Sequence, residues 1–549
     1  MREGVPDVPS TSTLARLGEF VLGAPMATNA PLATGARGQI WGGHHATQGT
    51  PVVIKLGTAL SAQARAAAAL HHVGVVEILD SGNVSLETAL ATRGALLEGS
   101  PYVVMERLSG GSLKDRPPST FFELRPILKQ LLCVLGHVHA NGVLHLGLKP
   151  GNVLRTLTGL VKLTDFGLES VFWAAEYSAP EQRGAHERDH GPWTDLYALG
   201  CLAWTFTCGR PPRGRPPFIP IFEVPVGFEA FLNRLLHDCP GHRFQRAADA
   251  LAALEILDDL GPRQVSAFGG VEALTSSFEA PVGAENIWAV GPTLSSSFAA
   301  VEHRPEYRGE AAVDGFSGLR PADFGRAELE ARLRAISPEP FDLESERGLL
   351  WEAFSLVIDS GQGSLSLLRG RAGTSGLAAW LGVLAHETGA ATVLRVKHEA
   401  TTGLTEPLAS CFRRHLRSDG LDARGTADRL RGSSASSFRD ARLDADQLAA
   451  FISGDDDEAS NDRHRVYADY LRALGVERPV LLILEDVREG DDALVFAASL
   501  VELAPPFPIF CLATLRHEGP SPPSVVGQHA PSTSGRSQPK LRDPSGLAT

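Results

Sequence analysis

Apolar residues recur at helical spacing between residues 121 and 141. Residues three and four positions apart lie on the same face of an α-helix, so this spacing predicts a helix with one buried face. The positions of that face are Leu124, Ile127, Leu128, Leu131, Leu132, Leu135 and Val138. Strong helix formers predict two further helices, at 59–70 and 247–257.

Aliphatic and β-branched runs predict strands on both sides of the long helix. The run 51–55 precedes it and the run 161–164 follows it. Three further apolar runs, at 364–369, 479–487 and 510–516, lie in the second half of the chain. Their lack of polar alternation is typical of strands buried on both faces, which favours a parallel sheet there.

Composition limits the class of protein. The 549 residues correspond to two to four domains, and a 43% hydrophobic content is typical of a globular protein. A net charge of −13 argues against nucleic-acid binding, which needs clustered Lys and Arg. The six cysteines are scattered, which indicates a reducing compartment. The first 13 residues are too polar for a secretion signal, and the apolar runs are too short to cross a membrane. We therefore expect a cytoplasmic protein that binds neither nucleic acid nor membrane.

Shifts in composition divide the chain into five segments. Residues 1–13 form a polar leader, 14–260 a first domain, and 261–322 a linker rich in Gly, Ser, Pro and Ala. Residues 323–518 form a second domain, and the Pro-, Ser- and Gly-rich tail 519–549 is predicted to be disordered.

The motifs of the first domain fall in the order found in one family. Residues 143–154 resemble the catalytic loop H-R-D-L-x-x-x-N of protein kinases, Asp-Phe-Gly follows strand 161–164, and Ala-Pro-Glu ends at residue 181. Downstream, the resemblance implies that Asp195 holds the catalytic loop and that Arg243 pairs with Glu181. The chain thus resembles bacterial serine/threonine protein kinases, which implies a two-lobed α+β fold. In the loop, His145, Leu148, Lys149, Pro150 and Asn152 match the family, whereas Leu146 replaces its Arg and Gly147 replaces its catalytic Asp.

The resemblance implies an ATP and Mg²⁺ site. Its glycine-rich hairpin would contain Gly35 and Gly38, although such glycines also occur in ordinary hairpin turns. Lys55 would bind the α- and β-phosphates, with Gln63 standing where the family has the glutamate partner of that lysine. The remaining implied residues are Met105, Glu106 and Leu108 around adenine, Lys149 in the catalytic loop, and Asn152 and Asp165 as the ligands of Mg²⁺.

The second domain resembles the signalling P-loop ATPases that follow some bacterial kinases. Strand 364–369 leads into Gly370 and Gly373, but the lysine of a working P-loop does not follow them. Glu485 and Asp486 end a later strand, where that family handles Mg²⁺; a plain buried strand with a helix-capping acid is the alternative. We expect a partial α/β P-loop NTPase-like domain with a parallel sheet and weak or absent nucleotide binding.

Three functions follow from these features. The first is a pseudokinase that binds ATP, transfers phosphate poorly or not at all, and acts as a nucleotide-dependent scaffold for a protein partner. The second is an active serine/threonine kinase with a protein substrate. The third is a signalling switch or oligomerisation module in which the second domain carries the function.

Overall fold

The computed structural model describes most of both predicted domains. The described residues are 15–31, 37–57, 62–70, 72–92, 95–167, 176–183, 189–212, 217–257, 346–370, 374–397, 405–432, 444–454, 460–488, 491–516 and 524–528. The predicted leader and linker, and the entry to the second domain, lie outside them.

The first domain begins with an antiparallel sheet, as the resemblance implies. Its strands lie in the order β1-β2-β3-β4-β6-β5, and the predicted strand 51–55 is the central β4. Two short helices, α1 and α2, accompany the sheet. The elements of this N-lobe are β1 (Arg16–Leu17), β2 (Phe20–Pro31), β3 (Arg37–His45), β4 (Pro51–Leu56), α1 (Ala62–Ala68), β5 (Ile78–Asn83), α2 (Leu86–Ala91) and β6 (Pro101–Glu106).

Helices dominate the rest of the first domain, the C-lobe. The predicted central helix is α3 (Phe121–Ala140), and its apolar face enters a core shared with α4 (Pro192–Cys208), α5 (Phe228–Leu235) and α6 (Ala247–Ile256). The hairpin β7 (Val153–Arg155) and β8 (Val161–Leu163) packs on the same core. This packing places the loop between α3 and β7 at the junction of the two lobes.

The second domain is built on the predicted parallel sheet. Strands β9 (Ser364–Gly370), β10 (Thr392–Lys397), β11 (Val480–Val487) and β12 (Ile509–Arg516) run parallel in the order β10-β11-β12-β9. Its helices are α7 (Glu346–Ser360), α8 (Thr374–Glu387), α9 (Thr405–Leu416), α10 (Ala423–Gly432), α11 (Ala445–Ser453), α12 (Ser460–Glu477) and α13 (Asp492–Val501). Apolar side chains cover both faces of the sheet, which explains the unalternated runs in the sequence. We call this unit the α/β domain.

Part of the predicted disordered tail has a regular structure. Residues Ser524–Gln528 form β13, which pairs antiparallel with β9 at the edge of the sheet. The prediction of a tail without structure is therefore wrong for these five residues. Composition missed them because an edge strand can be short and gain its hydrogen bonds from a sheet built elsewhere in the chain.

Within the described ranges, helices are all too short or too polar to cross a bilayer. All six cysteines are free.

Candidate active site

The loop between α3 and β7 is held in a defined shape by α4. Asp195, on the first turn of α4, is fully buried and accepts hydrogen bonds from the backbone N–H groups of His145 (2.8 Å) and Leu146 (2.7 Å). The backbone at Leu146 is left-handed, with φ of 58°, a conformation that a leucine adopts only at a cost. Gln182 Nε2 donates to Leu146 O at 2.9 Å, so the strained residue is fixed at both its N–H and its C=O.

The charge of Asp195 is stabilised by its neighbours. Burial by itself raises the pKa of this carboxyl group, but the hydrogen bond from His139 Nε2 (2.9 Å), the nearby histidines and the loop N–H groups outweigh burial. The net effect lowers the pKa. Asp195 is therefore ionised at neutral pH, and it holds the catalytic loop as the resemblance implied.

Gly147 occupies the position where the family has its catalytic aspartate. Its N–H donates to His145 Nδ1 at 3.2 Å, and its C=O accepts from Asn152 Nδ2 at 2.8 Å. The surrounding loop is thus hydrogen-bonded in place. A glycine, however, has no side chain that could accept a proton.

Lys55 and Asp165 meet across the cleft between the lobes. Lys55 is on β4, and Asp165 follows β8 in a left-handed conformation with φ of 66°. The Lys55 ammonium pairs with Asp165 Oδ1, and both side chains are largely buried, at 15% and 18% exposure. The two predicted ATP-site residues on opposite lobes are thus brought together.

The donor set fits the predicted ligands. Mg²⁺ prefers oxygen ligands, and the residues that would hold it offer the Asp165 carboxylate and the amide oxygen of Asn152, whose Nδ2 is engaged by Gly147. A Lys55 ammonium beside that carboxylate would compensate phosphate charge. Lys149 precedes the short 3₁₀ turn 150–152, and Asn152 N donates to its C=O at 2.9 Å.

Gln63 has a different contact from the one its position suggests. Its Oε1 accepts a hydrogen bond from Leu144 N at 3.0 Å, directly before the catalytic loop. In the family a glutamate at this position pairs with the strand lysine. Here the amide of α1 instead joins the N-lobe to the loop.

The predicted adenine-side residues line the connection between the lobes. Met105 is buried with Val76 and Val103, and Leu108 packs against this cluster. Glu106 is held by Lys162 (2.5 Å) and by the N–H of Glu77 (2.9 Å). Gly38 is in β3, and Gly35 lies outside the described residues.

A second buried ion pair supports the C-lobe beneath the loop. Arg243 contacts both carboxylate oxygens of Glu181, at 2.7 and 3.0 Å, and its side chain is 0% exposed. Arg243 also donates to the backbone of Trp193 (3.2 Å), and Thr194 Oγ1 donates to Glu181 (2.9 Å). The implied pairing of Glu181 with Arg243 is confirmed.

These features agree with a comparison of the sequence with protein families. Residues 27–216 match the family model of the protein kinase domain. The chain contains a protein kinase domain. The match begins inside β2 and ends beyond α4, so it includes every residue of the predicted ATP and Mg²⁺ site, whereas Arg243 lies beyond it.

Similar proteins carry the name serine/threonine-protein kinase. PknB of Mycobacterium leprae is 28% identical over 228 residues, which is 35% of this chain and 34% of that protein. PknA of Mycobacterium tuberculosis is 29% identical over 267 residues, or 41% of this chain and 59% of that protein. This chain therefore spans about a third to three fifths of the length of these relatives.

The P-loop-like region of the α/β domain is described in part. Residues 371–373, which include Gly373, lie outside the described residues, and α8 begins at Thr374. Glu485 and Asp486 end β11, on the edge of the sheet where the parallel strand β9 also ends. Asp486 is left-handed, with φ of 62°, and its N–H donates to Thr514 Oγ1 at 3.0 Å.

Sequence reasoning missed three contacts of the site. These are the Gln182 brace on Leu146, the bond of Gln63 to Leu144, and the pair between Glu106 and Lys162. The first and second join residues 36 and 81 positions apart, so local pattern gives no signal for them. Lys162 offered a weak signal, as a cation in an otherwise apolar strand.

Proposed function

We propose that the kinase domain binds ATP with Mg²⁺ but transfers phosphate poorly or not at all, so that the chain acts as a pseudokinase. The observation that carries this proposal is Gly147, a residue without a side chain at the centre of a loop whose other contacts are intact. The loop has kept its shape and lacks its base.

Magnitudes favour impaired transfer over complete loss of nucleotide binding. A positioned general base is worth about 10²–10⁴-fold in rate. Lys55, Asn152 and Asp165, the residues that would hold phosphates and Mg²⁺, are all present and close to the loop. Bound Mg²⁺ supplies positive charge against the phosphates. ATP binding therefore depends on residues that are present, whereas phosphate transfer depends on a general base that is missing.

A second function, an active serine/threonine kinase, is favoured by the same retained groups. Phosphoryl transfer relies mainly on positioning and electrostatics. Lys149 is also in its family position, and the similar mycobacterial proteins are named serine/threonine-protein kinases. Each proposal includes a protein that interacts with this chain. For the pseudokinase it is a partner that senses nucleotide binding, and for the active kinase it is a protein substrate that becomes phosphorylated.

The deciding experiment uses the full chain and four proteins. Wild type, Lys55→Met, Gly147→Asp and Gly147→Asn are compared for Mg-ATP binding by calorimetry and for transfer of labelled γ-phosphate to a generic protein substrate and to the chain itself. Asn matches Asp in size but is not a base. The backbone at Gly147 is outside the left-handed region, so both side chains fit its conformation.

We expect wild type to bind Mg-ATP and Lys55→Met to bind it at least about tenfold more weakly, and we expect both to transfer phosphate poorly or not at all. Gly147→Asp should transfer phosphate about 10²–10⁴-fold faster than wild type, whereas Gly147→Asn should not. Transfer by wild type that is as fast as that by Gly147→Asp and disappears in Lys55→Met would refute the pseudokinase and establish the active kinase. Absence of Mg-ATP binding in wild type would refute both.

A further inference from the structure

The C-lobe of the kinase domain carries the α/β domain on one face. The kinase side consists of α3, the start of α6 and the segment 189–193. The other side consists of α8, the segment 389–392, Arg478 and the corner between α9 and α10. We call this contact the interdomain face.

Two arginines cross the centre of the interdomain face in opposite directions. Arg246 of the kinase domain donates to Ala391 O (2.6 Å) and Thr392 Oγ1 (3.1 Å) of the α/β domain. Arg478 of the α/β domain donates to Asp249 of the kinase domain at 2.7 Å, and its side chain is 8% exposed. Each domain thus inserts a cation into hydrogen-bond acceptors of the other.

Further charged contacts surround this centre. Arg429 pairs with Asp189, and the guanidinium of Arg417 lies 4.3 Å from the centre of the Trp193 ring. His137 on α3 contacts the carboxylate of Glu387 on α8. The pair of Arg429 and Asp189 is about one third exposed on each side, so solvent and salt reach it.

The interdomain face differs in chemistry from the two cores. The apolar cluster of the C-lobe lies within the kinase domain, and the two clusters of the α/β sheet lie within the α/β domain. Among the described residues, ion pairs, hydrogen bonds and a cation–π contact join the domains. Polar interfaces of this kind are typical of domains that separate and reassociate, and salt weakens their exposed ion pairs.

We propose that the interdomain face is a docking surface for the chain's own α/β domain, held by charge complementarity and released at high ionic strength. The acids Asp189 and Asp249 of the kinase domain accept the arginines of its partner. The segment 189–193 leads directly into Asp195, the anchor of the catalytic loop. The docked domain therefore rests on the part of the kinase domain that holds its site in shape.

The test separates the domains without removing either of them. A protease site is placed in the full chain within the sequence-predicted linker 261–322, and the purified protein is cleaved and analysed by size-exclusion chromatography. We expect the halves to elute together at about 0.1 M salt and apart at about 1 M, where the screening length falls from about 10 to about 3 Å. Separation at both salt concentrations, or co-elution at both, would overturn the proposal.

A charge exchange at one pair tests the contact itself. Arg429→Asp or Asp189→Arg alone should place like charges together and weaken association of the cleaved halves at least about tenfold at low salt. The double variant, Asp189→Arg with Arg429→Asp, should restore co-elution. Arg431→Asp is the matched control, because Arg431 is on the same helix and pairs within the α/β domain, with Asp428 and Asp446.

Single variants whose cleaved halves associate like wild type would show that charge complementarity does not hold the interdomain face. A double variant whose halves associate no more tightly than those of the single variants would show the same. Thermal unfolding of each uncleaved variant confirms that it is folded. Association is measured without nucleotide, so the result is independent of whether the kinase site binds ATP.

Discussion

Replacing Asp195 with Asn tests how much the carboxylate that holds the catalytic loop contributes to stability. The carboxylate accepts three hydrogen bonds, from His145 N (2.8 Å), Leu146 N (2.7 Å) and His139 Nε2 (2.9 Å), and its side chain is 0% exposed. An amide of the same size keeps one acceptor oxygen and places an NH₂ group where the other stood. At least one buried N–H of the loop then faces a donor.

The magnitude follows from those contacts. Leaving a buried donor unsatisfied costs about 1–3 kcal/mol. We expect the free energy of unfolding of the kinase domain to fall by about that amount, 1–3 kcal/mol. For a domain of this size, that corresponds to about 2–12 °C in the midpoint of thermal unfolding.

The assay is differential scanning calorimetry of the full chain, with Asp195→Asn compared with wild type and with Glu223→Gln as control. Glu223 is exposed in the same domain and undergoes the same chemical change. The control should change the midpoint by less than about 2 °C. A shift for Asp195→Asn no larger than that of the control would refute the claim that this carboxylate holds the loop.

Four other substitutions in the kinase domain are predicted to change its stability, each measured by the same unfolding assay. Arg243→Ala should cost about 3–5 kcal/mol because it leaves the nearly buried Glu181 without its cation; a loss below about 1 kcal/mol would contradict this. Gly136→Ala should stabilise α3 by up to about 1 kcal/mol, since its new Cβ would lie 3.8 Å from Ala247. Gly200→Ala should destabilise the domain by about 1–3 kcal/mol, since its new Cβ would lie 2.8 Å from the Cβ of Leu235. Equal effects of Gly136→Ala and Gly200→Ala on the free energy of unfolding would refute this packing argument. Burial lowers the pKa of His145, so the folded state stays neutral while the unfolded state takes up a proton. Stability should therefore decline as pH falls below about 6.5, at up to about 1.4 kcal/mol per pH unit from this residue, and His145→Asn should lessen that slope.

Much of the fold could be predicted because its signals are local. The face of α3, the strand β4 and the apolar strands of the α/β sheet each follow from a periodicity of a few residues. The family resemblance supplied the long-range part, since it implied that Asp195 holds the loop and that Arg243 pairs with Glu181, as they do in the structure.

The unpredicted contacts depend on how separate elements are arranged in space. Gln63 reaches Leu144 only because α1 packs against the core of the C-lobe, and Arg429 reaches Asp189, 240 positions away, only because two domains meet. A polar residue on a helix surface has the same sequence pattern whether it faces solvent or a partner. Charge pairs across domains are therefore the part of this molecule that sequence alone could not place.

The left-handed backbone at Leu146 bears on the proposed binding role of the catalytic loop. A left-handed leucine costs about 1–2 kcal/mol and persists only where its surroundings determine the conformation. At Leu146 those surroundings are Asp195 from α4 and Gln182 from the segment after Ala-Pro-Glu. The loop thus keeps an energetically costly shape although Gly147 has removed the base for which such a shape is needed in catalysis. Under the proposed binding role, the shape of the loop matters because Asn152 donates its hydrogen bond to the backbone of Gly147 and not to the missing side chain.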